Sequence, residues 1–379
     1  RRARLERVIA HLVSREGVIL SASERNQLVR RVVDEAVGLG VLEPILNDPS
    51  VSEIMINGHD TIYVERAGKL ERWPAPFSSD EQLMQTIDRI VSTVNRRVDE
   101  SSPMVDARLP ADSRMPRGAR VNVVLPPLSL NGPTVTIRLF PHALSLTQLI
   151  ERESIDRRTA LLLKACVEGR LNVVVSGGTG SGKTTLLNAL SSFINPDERI
   201  VTIEDAAELS LNQPHTIRLE TRPANVEGRG QVSIRDLVRN SLRMRPDRII
   251  VGECRGGEAL DMLQAMNTGH EGSLTTVHAN NPDDALSRLE TLASMSDVEV
   301  PFHALRDQVN SAIDIIVQLN RLADGSRRVV DVSWVRSRRQ EDFDLVPLMQ
   351  YVIDRSDPAT PQGRFDVYEL PAALRQRLT

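Results

Sequence analysis

One short stretch limits this chain to a small set of folds. Directly after the β-branched run Val173-Val174-Val175-Ser176 comes Gly177-Gly178-Thr179-Gly180-Ser181-Gly182-Lys183-Thr184-Thr185, and Leu186, Leu187, Ala189 and Leu190 then open a helical pattern. Strand, G-x-x-x-x-G-K-[ST] loop and helix together make a phosphate loop. The glycines let backbone N–H groups converge on a phosphate, and the helix start adds its partial positive charge. Lys183 is positioned to neutralise β- and γ-phosphate oxygens, and Thr184 offers a hydroxyl to Mg²⁺. Lys69, Lys164 and Lys183 are the only lysines among 47 Lys and Arg residues. A chain of this composition is expected to match the pattern by chance only about 0.001 times. The sequence therefore predicts binding of a nucleotide with Mg²⁺.

The surroundings of the loop predict an α/β domain. Val173–Val175, Ile200–Ile203, Ile249–Val251 and Leu274–Val277 are continuous apolar runs, each followed by a helical pattern or a turn. Such runs indicate a mostly parallel sheet covered on both faces. Hydrolysis also needs a carboxylate to hold the metal or orient the attacking water. Arg248-Ile249-Ile250-Val251-Gly252-Glu253 ends in Gly-Glu, with Gly252 where many P-loop enzymes carry Asp. Glu253 is left alone there, so a second acid should share the work. Glu204, in Ile203-Glu204-Asp205-Ala206-Ala207-Glu208, ends the preceding strand, and parallel strands present their C-terminal ends on one side.

Arginines and histidines supply further candidates. Arg218, Arg222 and Arg229 sit in a connection from His215 to Gly230, and Arg138 closes a smaller upstream domain. Each could stabilise a developing phosphoryl charge or simply be a solvated surface residue. His270 and His278 flank one strand at a spacing unlike a helical metal pair, which argues against zinc. They are read either as γ-phosphate contacts or as structural hydrogen-bonding groups.

Upstream of the α/β region the pattern changes twice. Residues 1–46 read as helices, with Leu5, Val8, Ile9, Leu12 and Val13 at helical spacing and a Ser21/Glu24 capping box before a second run. Residues 47–142 read as a small α+β domain: a hairpin turning at Asn57-Gly58, a helix capped by Ser78 and Glu81, and three more strands around 105–109, 121–125 and 134–139. Residues 143–379 form the α/β domain. The net charge of −4 and an aromatic content of 3% give a nucleic-acid translocase little to work with. No charge-free stretch is long enough for a membrane span. Two cysteines, Cys166 and Cys254, exclude a disulfide framework and fit a reducing, cytoplasmic setting. No signal peptide pattern opens the chain, and its start at Arg1 rather than Met suggests a preceding segment.

The segments GGTGSGKTTLLNAL, TIEDAAEL, RPDRIIVGECRGGEA and TGHEGSLTTVHANNPDDALSRLE resemble the traffic ATPases of type II and type IV secretion systems. VSEIMINGHDTIYVERAGKL and VEVPFHALRDQVNSAIDIIVQL are most similar to the Tad/Flp pilus assembly ATPases of the CpaF type. The resemblance implies a RecA-like P-loop ATPase core at 143–379, a PAS-like α+β domain at 47–142 and an N-terminal helical segment at 1–46. It implies that Gly177, Gly178, Thr179, Gly180, Ser181, Gly182, Lys183, Thr184 and Thr185 form the Walker A loop. Glu253 becomes the Walker B acid and, with Thr184, a Mg²⁺ ligand. Glu204 and Glu208 become the acids of an Asp box, and His270 and His278 a His box. Arg222, Arg229 and Arg138 become phosphate contacts across subunits or domains. The expected assembly is a homo-hexamer at the cytoplasmic face of the inner membrane, meeting pilus platform proteins and acting indirectly on pilin, with no nucleic-acid partner. An ATPase of a conjugation or effector-export system is the close alternative; the lack of CxxC pairs is in keeping with both the Tad branch and the conjugation ATPases. A non-hydrolysing nucleotide switch is a more distant one.

Overall fold

The period change near residue 143 coincides with a division into two compact units, Arg1–His142 and Ala143–Thr379. The computed structural model describes residues 2–15, 21–66, 68–94, 96–111, 117–141, 143–224, 229–353 and 363–378.

The first unit begins with α1 (Arg2–Arg15) and α2 (Ala22–Val37), which pack on each other through Ile9, Val29 and Val33. A 3₁₀ turn (Gly40–Leu42) and α3 (Glu43–Leu46) follow, then β1 (Val51–Asn57), β2 (Ile62–Arg66), β3 (Lys69–Arg72), α4 (Asp80–Ser92), β4 (Met104–Leu109), β5 (Ala119–Val124) and β6 (Thr134–Leu139). The six strands pair antiparallel in the order β3-β2-β1-β6-β5-β4. Along β5 and β6 buried and exposed residues alternate, as a sheet with one covered face requires. Leu83, Ile87, Ile90 and Val91 of α4 join that core, and so do Leu39, Leu42, Ile45 and Leu46. The end of the helical segment thus belongs structurally to the α+β core. The Ser21/Glu24 capping box is present. The cap of α4 is one residue later than the sequence reading: Ser79 accepts from the Gln82 N–H, and Ser78 instead donates to Gln82 Oε1.

The second unit contains α5 (Leu146–Glu151), α6 (Arg157–Glu168), β7 (Val173–Gly177), α7 (Lys183–Ser191), β8 (Ile200–Glu204), β9 (Thr216–Glu220), α8 (Ile234–Ser241), β10 (Arg248–Cys254), α9 (Glu258–Asn267), β11 (Leu274–Val277), α10 (Pro282–Ser294), α11 (Phe302–Ala312), β12 (Ile315–Arg321), β13 (Arg327–Val335), β14 (Leu345–Ile353), β15 (Gly363–Val367) and α12 (Ala372–Leu378). One sheet runs β15-β14-β13-β12-β7-β11-β10-β8-β9. From β12 to β9 every pairing is parallel, and β13 to β15 extend it antiparallel. The period of two in each strand explains the two cores. Val173, Val175 and Ile250 face α5, α6 and α7, whereas Val174, Ile249 and Val251 face α8 to α11. Strand β9 corrects the reading of residues 215–230 as a mere connection. Cys166 and Cys254 are free and buried.

At the N-terminal edge of the parallel strands, Arg248 is fully buried. Its guanidinium donates to both Glu198 carboxylate oxygens at 2.8 Å and to the Val167 carbonyl at 2.7 Å. Among the described residues no helix is long and apolar enough to cross a membrane.

Candidate nucleotide site

The loop between β7 and α7 takes its shape from glycines at defined positions. Gly180 (φ +69°) and Gly182 (φ +98°) are left-handed, a conformation other residues rarely adopt. A side chain at Gly177 would meet the Leu319 carbonyl and Ser181 Oγ at 2.5 Å, so that position must be glycine for packing reasons. Ser181 is buried and donates its hydroxyl to the Gly178 carbonyl at 2.9 Å. Lys183 Nζ donates to the Gly177 and Gly178 carbonyls at 2.9 and 3.0 Å, folding its ammonium over the loop. Burial pulls this ammonium below the usual lysine range, with the nearby Glu253 charge opposing that pull. Helix α7 starts at Lys183, and Gly182 provides no side-chain cap for its first N–H groups. An anion suits those uncapped donors.

The acids sit at the C-terminal ends of β8 and β10. Glu204 is only 4% exposed. Its Oε1 accepts from the Glu208 and Leu209 N–H groups at 3.0 Å each, while Oε2 is buried with no partner among the described residues. Burial drives its carboxyl up to about 7, against the two N–H donors and the Arg218 charge, which favour ionisation. Gly252 lies beside it on β10. A Cβ added at Gly252 would stand 2.9 Å from Glu204 Cγ. The space an aspartate at 252 would fill is thus already occupied by Glu204, which accounts for the glycine at that position. Between Val251 and Cys254 the register of β10 against β11 shifts, a bulge of the kind that re-aims a side chain. Glu253 falls within it, and the Thr276 hydroxyl holds the Gly252 carbonyl at 2.7 Å.

The sequence profile of the type II/IV secretion system proteins matches residues 35–377. The chain belongs to that family. A Mycobacterium tuberculosis relative named for conjugal transfer is 38% identical over 309 residues, covering 81% of this chain and 87% of its own. The conjugal transfer protein TrbB of Rhizobium radiobacter is 33% identical, covering 79% and 88%. The type IV secretion system protein PtlH of Bordetella pertussis is 36% identical, covering 79% and 94%. Among solved structures, the ADP-bound pilus retraction motor PilT superposes with a TM-score of 0.60 at 22% identity, over 81% of this chain and 82% of that one. The ATPase DotB of Legionella pneumophila gives 0.55 at 22%, over 77% and 78%. This secretion family member thus has the RecA-like fold of P-loop ATPases, as its loop and strand order led one to expect.

The other predicted residues of this family member fall on several different elements. His270 precedes β11 and His278 follows it. Since β11 runs parallel to β7, His278 shares the loop's edge of the sheet and His270 the opposite edge, where its ring meets the Ala265 carbonyl. The reading of both as γ-phosphate contacts is therefore corrected for His270 within one chain. Arg222 follows the outermost strand β9, and its Nε donates to the Gly230 carbonyl at 2.6 Å, closing its own loop. Arg229 is exposed on that loop. Arg138 is exposed on β6 of the first unit. Sequence reasoning missed Arg255 and Asp205. Arg255 Nε donates to Glu253 Oε2 at 2.7 Å and its Nη1 to Asp205 Oδ2 at 3.2 Å, tying two strand ends together. Their only sequence signal was a charge one residue beyond Glu204 and two beyond Glu253.

The donor set fits Mg²⁺. Among the described residues no three His, Cys, Asp or Glu side chains group as a metal cage. A hydroxyl at Thr184 and a carboxylate at Glu253 suit an ion that takes most of its ligands from phosphates and water.

Proposed function

We propose that this chain is an ATP-hydrolysing motor that works as a homo-hexamer at the cytoplasmic face of a bacterial inner membrane and powers assembly of a Tad/Flp-type pilus through its platform proteins. The observation that carries hydrolysis, rather than nucleotide binding alone, is the pairing of Gly252 with Glu204. A buried carboxyl with an unpartnered oxygen and a pKa raised to about 7 has the protonation behaviour of a general base working near neutral pH. In this reading Lys183 leaves the Gly177 and Gly178 carbonyls for the β- and γ-phosphate oxygens. Thr184 and Glu253 hold Mg²⁺, which supplies neutralisation of charge on the transferring phosphoryl group. Glu204 takes a proton from the attacking water, phosphate departs from ADP, and Arg255 keeps Glu253 from rotating away. Arg229 and Arg138 are proposed as phosphate contacts supplied by a neighbouring copy, and His278 as a contact on the loop's edge.

The pilus assignment draws on the resemblance of the stretches at 51–70 and 298–319. The relatives named for conjugal transfer and type IV secretion favour the second reading, an ATPase of a conjugation or export system. Phosphate release by the purified chain tests the enzyme: Lys183→Ala and Glu204→Gln should each abolish it, and normal turnover in either removes the proposal. Deletion in the source organism separates the machines, by loss of surface pili or loss of DNA transfer.

A further inference from the structure

The hairpin β12–β13 stands on the opposite side of β7 from the acids, because β12 pairs with β7 directly whereas β10 and β8 lie across β11. Leu319 is in register with Gly177, so Asn320 and Arg321 continue past the end of β7 alongside the loop. Two contacts fix that approach: the Leu319 carbonyl against Gly177, and Arg327 Cδ 3.6 Å from where a Cβ of Gly182 would be. Arg321 and Arg327 are directly paired in the antiparallel register, so both project from one face of the hairpin tip. Like charges set opposite one another destabilise a hairpin. Both are exposed, and among the described residues neither guanidinium has an ion pair or hydrogen bond. The other charges of the hairpin tip are engaged elsewhere. Arg328 donates to the Glu153 carbonyl, and Asp324 accepts from the Ser326 N–H and hydroxyl within its own turn. Two uncompensated guanidinium groups therefore flank the phosphate loop on the side away from its acids.

We propose that Arg321 and Arg327 bind the α-phosphate side of the nucleotide, the end remote from the γ-phosphate. This rests on the reading of the loop as an ATP site. A triphosphate whose terminal group meets Glu204 and Glu253 runs back across the loop toward β12. There two forked guanidinium groups match phosphate oxygens in geometry and charge. An interaction at that end is present in ATP and ADP alike. It tightens binding of both and leaves the chemical step alone.

Equilibrium binding of ATP and of ADP, each with Mg²⁺, to the full chain tests this. Wild type should bind both and Lys183→Ala neither, which checks the underlying site. Arg327→Ala and Arg321→Ala should each weaken ATP and ADP by the same factor, about tenfold, with kcat at saturating ATP within about twofold of wild type. Arg327→Lys should recover part of the loss. The nucleotide-free variants should melt no lower than wild type, since the like-charge pair is gone. If wild type binds and Lys183→Ala does not, but both arginine variants bind like wild type, this inference alone falls. A loss confined to ATP with a fallen kcat also overturns it, by moving the arginines to the γ-phosphate. If wild type binds neither nucleotide, the site itself is wrong.

Discussion

Replacing Glu204 by glutamine should change stability in a pH-dependent way that no surface substitution imitates. Burial raises this carboxyl from an ordinary 4.5 to about 7. The folded protein therefore holds its proton more tightly than the unfolded chain does. That extra stability is fully present below about pH 4.5 and disappears as pH rises through about 7. The full difference is about 3 kcal/mol, and most of it is lost between about pH 5 and about pH 8. Glutamine keeps an oxygen for the Glu208 and Leu209 N–H groups but sets an amide N–H₂ where Oε2 has no partner. That costs on the order of 1–3 kcal/mol at every pH. The variant should thus be clearly less stable than wild type near pH 5 and equal or more stable near pH 8. For a unit of this size the gap in melting temperature should move by about 5–10 °C across that range. Thermal melts of both nucleotide-free proteins at matched pH values read this directly. A gap that stays constant with pH means that the proton is not on Glu204, and the reasoning fails. In wild type, kcat/KM should rise with pH through an apparent value near 7, as expected for a base that must lose its proton first.

Three other substitutions probe separate parts of the account. Gly252→Ala should cost about 1–3 kcal/mol because its Cβ meets Glu204 Cγ at 2.9 Å, and the cost should shrink when Glu204 is also alanine; an additive double variant would show that the two do not compete for space. Lys183→Ala should leave the far-ultraviolet circular dichroism unchanged while nucleotide binding disappears. Arg248→Leu should lower stability by about 3–5 kcal/mol in chemical denaturation, since it takes both guanidinium bonds from Glu198, leaving it only Arg170, and unpairs the Val167 carbonyl; a loss under about 1 kcal/mol would mean that the buried pair contributes little.

What the sequence revealed was what is encoded by near neighbours. The loop needs glycines, a lysine and a threonine at fixed offsets, and the strand before it alternates Val173, Val174 and Val175 between two cores. Pairing across strands was beyond that reach. Gly252 looked like a missing aspartate until β8 was seen to supply Glu204 into the same space. His270 and His278 looked alike because both flank β11, but a strand separates its two ends onto opposite edges of a sheet. Strand β9 escaped notice because it is an edge strand with half-exposed residues on both faces, which leaves no hydrophobic alternation to read. Arg255 and the Arg321–Arg327 pair are exposed residues in an arginine-rich chain, and only their neighbours across the sheet distinguish them.

The division of labour between the two acids is most directly tested by a single-turnover experiment with Mg²⁺ and ATP labelled at the γ-phosphate. Glu204→Gln should retain ATP as tightly as wild type yet release no labelled phosphate, whereas Glu253→Gln should lose its dependence on the metal. Release at the wild-type rate from Glu204→Gln, with Glu253→Gln holding uncleaved ATP, would assign the base to β10 and contradict the central claim.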